Sequence, residues 1–121
     1  MVNLKARAAI ESLYEGKCSV FIQGKTTDPD TKETLFIETE LFNDQPCKLS
    51  FSTITTTNEV GHTAGVRQVT KLFIAPELNI PAGSKLVITQ RGVTGEYSNS
   101  GISAFYSNHQ EIPLELFEGW A

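Results

Sequence analysis

The chain has 121 residues, a net charge of −4 and a pI near 5.1, and is 40% hydrophobic and 20% charged. That length suits one domain, residues 1–121, whose core is large enough to need no disulfide or metal staple. The composition weighs against disorder. The lack of any run of about 18 apolar residues weighs against a membrane-spanning helix, and the acidic balance against a clamp that neutralises nucleic-acid phosphates.

The opening "NLKARAAIESLY", residues 3 to 14, predicts a short helix with Asn3 as N-cap, an alanine-rich interior and Gly16 as its stop. The start, "MVNLKARAAIESLYEG" (1–16), carries Lys5, Arg7, Glu11 and Glu15, so it lacks the apolar stretch of a secretory signal, and the expectation is a cytosolic protein. The period then changes to two. "CSVFIQG" (18–24) reads as a strand and "TTDPDTKET" (26–34) as an exposed turn, together a hairpin.

In "TLFIETELF" (34–42), Leu35, Ile37, Thr39 and Leu41 alternate with Phe36, Glu38, Glu40 and Phe42, the pattern of a half-buried strand. A second strand is expected in "PCKLSFSTI" (46–54), which repeats the alternation with Cys47, Leu49 and Phe51. The acidic residues are densest from Asp28 to Asp44. "VRQVTKLFIAP" (66–76) is a strand stopped by Pro76, and Pro81, Gly83 and Ser84 form a turn before a β-branched strand at 85–91. "VTGEYSNSG", "ISAFYS" and "QEIPLELFEGW" follow, with Gly or Asn breaks at roughly eight- to twelve-residue spacing. Tyr97, Phe105 and Tyr106 read as core or strand-pair residues. Pro113 cannot donate to a ladder, so its strand is expected at an edge or a bulge. The fold class is all-β: a small β-barrel or sandwich with a short N-terminal helix and one long inter-strand loop.

That loop is "STITTTNEVGHTAGVRQ", residues 52 to 68, nearly empty of large apolar side chains between two dense strands. A connection this long without its own periodicity is usually functional or disordered. Its small polar side chains suit a segment lying near DNA without gripping it. The candidates are Thr55, Thr56, Thr57, Asn58, Glu59, Gly61, His62, Thr63 and Gly65.

No phosphate-binding, dinucleotide, zinc-protease or nucleophile-elbow motif occurs, and no cofactor, metal site or enzymatic activity is expected. His109 and Glu111, two apart, would share a strand face and could act as an acid–base pair, but a third ligand would have to come from elsewhere. His62 reads as a solvated loop residue. Cys18 and Cys47 read as free, buried thiols. A single-stranded nucleic-acid-binding β-barrel is the alternative reading, although the strands offer Glu38, Glu40, Glu111 and Glu115 where such a module would place Lys or Arg.

Several strings together, "AIESLYEGKCSV" (9–20), "QPCKLSF" (45–51), "KLFIAPELNIPAGSKLVITQRG" (71–92) and "YSNHQEIPLELFEGWA" (106–121), carry a resemblance over nearly the whole chain. They resemble small head-closure or head-tail joining proteins of tailed phages and prophages of Gram-positive bacteria. The resemblance implies a structural subunit that assembles in the host cytoplasm into a homo-oligomeric ring at the virion neck. Its partners would be the portal or adaptor ring and the tail proteins, and double-stranded DNA would pass without specific binding. The resemblance also implies a loop projecting towards the channel, here the 52–68 segment, which would help retain packaged DNA. The apolar C-terminal end, "LELFEGWA", supplies Leu116, Phe117 and Trp120 as anchors, on the chain's own barrel or across a subunit boundary.

Overall fold

One strand organises the molecule. In the computed structural model, which describes residues 4–57 and 64–120, the stretches expected as strands at 34–42 and 46–54 are one strand, β2 (Thr34–Thr57), of 24 residues. Its first part pairs antiparallel with β1 (Gly16–Thr27) and its second part with β3 (Ala64–Ile74). The change of partner falls beside an irregularity: the register jumps between Cys18↔Gln45 and Val20↔Phe42, and Asp44 takes φ 47°. Ser19 fills the gap, its Oγ accepting from the Asp44 N–H at 3.2 Å and lying 3.3 Å from Asn43 Oδ1. Such a bulge bends a strand without ending it.

The remaining elements are α1 (Leu4–Glu11), β4 (Lys85–Gln90), β5 (Val93–Asn99), β6 (Ala104–Phe105) and β7 (Gln110–Leu116). The hydrogen-bonded order β3-β2-β1-β4-β5-β7 returns to β3 through the β3–β7 pairing, so the sheet closes into a barrel, with β6 added beside β7. Closure removes most free edges. Period-two alternation fills the interior: Cys18 and Val20, Cys47 and Leu49, Leu72 and Ile74, Leu86 and Ile88, Ile112 and Leu114 are all buried. The β4–β5 turn uses Arg91 (φ 52°) and Gly92 (φ 77°), the two positive values that a two-residue hairpin of matching twist requires.

The 75–84 connection lies against one end of the barrel and is held by buried amides. Gln110 Nε2 donates to the carbonyls of Ala75 at 2.8 Å and Leu78 at 2.6 Å, and Asn99 Nδ2 donates to that of Ile80 at 3.0 Å. Ile80 is thereby placed in the core. Arg7 ties α1 to the same connection through a two-nitrogen fork on Glu77, which with Glu11 holds the guanidinium above its ordinary pKa. The expected cap, Asn3, lies outside the described residues, and the expected stop is corrected: the helix ends at Glu11, and Gly16 is the first residue of β1.

Pro113 is not at an edge. It sits opposite Lys71 of β3, at the point where β7 leaves β6 and takes up β5. Its carbonyl accepts from the N–H and the Oγ of Ser100, both at 3.0 Å. The missing N–H therefore falls in the gap between two partner strands, where no ladder bond is lost.

Candidate assembly surface

Two hairpins run past the barrel because their outer neighbours stop early. β4 covers β1 only as far as Phe21↔Lys85, whereas β1 and β2 stay paired out to Thr27↔Thr34. Residues 22–27 and 34–39 therefore form a two-stranded arm. The expected half-buried strand at 34–42 is corrected here: Leu35, Phe36, Ile37 and Leu41 are all exposed, Phe36 at 60%, and only Phe42 packs partly against the core. Beyond its root, where Trp120 bonds Glu38, the ribbon is two strands wide and no described residue covers either face. The arm's tip is built by Asp28, whose Oδ1 accepts from the Asp30 N–H at 2.8 Å, and by Lys32 in the left-handed region.

The second arm continues β2 and β3. β7 reaches β3 only at Thr70↔Leu114, while β2 and β3 pair out to Thr57↔Ala64. The expected long loop is thus a ribbon over most of its length: Thr55, Thr56, Thr57 and Gly65 are paired strand positions, opposite Val66, Gly65, Ala64 and Thr56. β-branched threonines favour that conformation. Asn58, Glu59, Gly61, His62 and Thr63 lie outside the described residues.

At the root of this second arm, Gln90 substitutes for a strand. Its Oε1 accepts from the Leu49 N–H at 2.8 Å and its Nε2 donates to the Leu49 carbonyl at 3.1 Å. The side-chain amide thus completes the β2 edge where β4 ends. Since backbone groups alternate in direction, the N–H and C=O of Phe51 and Thr53 point the same way as those of Leu49, beyond the reach of Gln90. A cleft of about 350 Å³ lies alongside, lined by Leu49, Phe51, Ile88, Val93 and Tyr97 with Lys48, Arg91 and Glu15 at its rim. Arg91 Nε bonds Glu15 at 2.7 Å and lowers the pKa of that carboxyl.

The C-terminal tail is fastened to the root of the first arm. After β7 the Phe117 N–H donates to the Glu96 carbonyl at 3.1 Å, and Gly119 turns at φ 113°. Trp120 then meets Phe117 edge to face, with centroids 5.1 Å apart, and its Nε1 donates to Glu38 Oε2 at 3.3 Å. Lys85 bonds Glu38 at 3.0 Å and lies over the rings of both Phe21 and Phe117, at 5.5 and 5.3 Å. The Glu38 carboxyl is held below its ordinary pKa, first by Lys85 and further by the indole. Of the expected anchors, Phe117 and Trp120 come together on this chain's own barrel, whereas Leu116 faces outward at 70% exposure. Glu38 and Lys85, forty-seven residues apart, carried no sequence signal as a pair.

His109 and Glu111 do share a face. Nε2 lies 3.1 Å from Glu111 Oε2, the imidazole stacks on Tyr106 with centroids 4.8 Å apart, and Lys71 Nζ approaches Glu111 at 3.7 Å. Phe105 is a strand-pair residue, opposite Gln110, but 62% exposed and not core, and Tyr106 is a surface residue, 53% exposed. The two-residue β6 that carries Phe105 covers little of β7. Tyr97 packs against the core as expected. Among the described residues, no group of three His, Cys, Asp or Glu side chains could hold a metal ion. Cys18 and Cys47 are buried free thiols, and a hydrogen bond to Cys47 together with burial pushes the Cys18 pKa up.

No family model matches the chain, and no curated protein matches it. Among solved structures, the chain is similar to the phage-like element PBSX protein xkdH from Bacillus subtilis. The match has a TM-score of 0.49 and 13% sequence identity, and covers 84% of this chain and 93% of that one. No described helix is long and apolar enough to cross a membrane.

Proposed function

We propose that this chain is a structural subunit of a tailed-phage neck, a head-closure or head-tail joining ring that extends the portal channel, helps retain packaged DNA and docks the tail. The observation that carries the reading is the pair of arms. The β1–β2 arm holds Leu35, Phe36 and Ile37 exposed on both faces, out beyond any cover the barrel supplies. Apolar side chains in such a cluster mark a contact surface. The resemblance carried by residues 9–20, 45–51, 71–92 and 106–121 supports the same reading. In it the barrel forms the wall of the ring, portal or adaptor and tail proteins bind above and below, and the β2–β3 arm projects towards the channel axis and narrows the passage. The function is assembly and not catalysis.

The test is to replace residues 55–64 by a short Gly-Ser turn. The barrel register, which ends at Thr70↔Leu114 on β3, stays intact, so folding and ring incorporation persist while filled heads lose their DNA. Heads that carry the shortened protein and keep their DNA as well as wild type would refute the gating role. Absence of the wild-type protein from necks would refute the reading as a whole.

A further inference from the structure

The two arms lie at opposite ends of β2 and differ in charge as well as in shape. From Ile22 to Glu40 the carboxylates of Asp28, Asp30, Glu33, Glu38 and Glu40 outnumber Lys25 and Lys32. At the root of the other arm, the cleft beside β2 has Lys48 and Arg91 at its rim against the single carboxylate of Glu15. The first arm offers protruding apolar side chains on an acidic ribbon. The cleft offers an apolar floor of Leu49, Phe51, Ile88 and Val93 with a basic rim.

Backbone groups match as well. Beside the cleft, the β2 edge at Phe51 and Thr53 has no neighbouring strand among the described residues, because β1 leaves β2 at Cys47 and the Gln90 amide reaches only Leu49. On the arm, no described strand pairs with the β2 edge from Thr34 to Leu41 on the side away from β1, because β3 pairs with β2 only from Cys47 onward. Two free edges, each flanked by apolar side chains and of opposite charge, satisfy what strand addition needs: main-chain bonds for affinity and side-chain pockets for specificity.

We infer that the β1–β2 arm of one copy docks on the cleft between β2 and the β4–β5 turn of the next, adding its Thr34–Leu41 edge beside Phe51 and Thr53 and seating Leu35, Phe36 or Ile37 over Val93. This deepens, and rests on, the ring-subunit reading. The contact joins two different patches, so it is heterologous and propagates from copy to copy, closing a ring when the rotation per subunit allows it. A two-fold arm-to-arm contact would bring like charges together and end at a dimer.

Cysteine pairing tests it. Ile37→Cys and Val93→Cys place thiols at exposed positions, while the native Cys18 and Cys47 are buried and out of reach. At high concentration under mild oxidation, the mixture of the two variants gives about tenfold more covalent dimer than either alone, equivalent to about 1.4 kcal/mol of preferred encounter. Peptide mapping finds the 37–93 junction, and the double variant gives a ladder. Adding Lys48→Glu and Arg91→Glu to the Val93→Cys partner lowers the yield towards that of the single variants. Equal dimer from Ile37→Cys alone, or no 37–93 junction at millimolar protein, overturns the inference. The neck reading fails separately: a ladder in solution with no protein in phage necks would leave the docking contact standing, and protein in necks without the junction would leave only the neck role.

Discussion

Trp120→Ala measures how firmly the tail belongs to the barrel. The indole is partly buried against Phe117 and bonded to Glu38. Covering roughly half of a ring system that offers about 200 Å² contributes about 2–3 kcal/mol. The edge-to-face geometry adds about 0.5–1.5 kcal/mol and the hydrogen bond to a solvent-facing carboxylate about 1 kcal/mol. Ordering residues 118–120 costs about 1 kcal/mol of backbone entropy apiece. The net loss expected for Trp120→Ala is about 1–2 kcal/mol, below the roughly 3–5 kcal/mol of a fully buried aromatic truncation. Urea denaturation followed by far-ultraviolet circular dichroism reads it directly. Trp120 is the one tryptophan of the chain, so its fluorescence in the wild type reports on the tail alone. Coincidence of the fluorescence and dichroism transitions shows that the tail unfolds with the barrel. An unchanged midpoint would mean that the tail contributes nothing to the fold, and a loss above about 4 kcal/mol that the indole is a core residue, contrary to the geometry.

Gln90→Ala leaves the Leu49 N–H and carbonyl without their partner at the root of the second arm and is expected to cost about 1–3 kcal/mol, measured by the same denaturation. An effect within the error of surface substitutions would remove Gln90 as the terminus of that edge. Because the Glu38 carboxyl is held below its ordinary value in the folded state, its contribution to stability is present above that value, 4.5, and is lost as pH falls through the lower folded pKa. Glu38→Gln should flatten that part of the acid-denaturation curve; an identical curve would show that the Lys85 pairing is not coupled to folding. Cys18 and Cys47 should react with a thiol reagent only at the rate of unfolding, and rapid labelling of the native protein would contradict their burial.

Period-two alternation is a local property, and it set which residues share a face: Cys47 and Leu49 are buried together, although Phe51, the next in that rhythm, is 52% exposed because β1 has already left β2. The short helix was equally legible, but its stop was not: it ends at Glu11, and Gly16 is the first residue of β1, paired with Cys47 and Gln90, because closure of the sheet claims it as a strand position. Whether an alternating segment is covered is a different matter. In residues 34–42 the pattern promised a buried face, yet the outcome depended on β4 beginning only at Lys85, a fact about a strand some fifty residues away. The same holds for the threonine-rich stretch, read as a loop for its lack of apolar residues. Its ladder of main-chain bonds, however, needs none, and β3 continues it past the point where β7 stops. Pro113 could sit inside the sheet only because β6 and β5 leave a gap opposite it, and Gln90 could close the edge at Leu49 only because closure of the barrel brought them together. Side-chain alternation is written residue by residue along the chain, whereas the points at which neighbouring strands begin and end are settled between distant segments when the sheet closes, and those points decide which apolar residues are left outside for a partner.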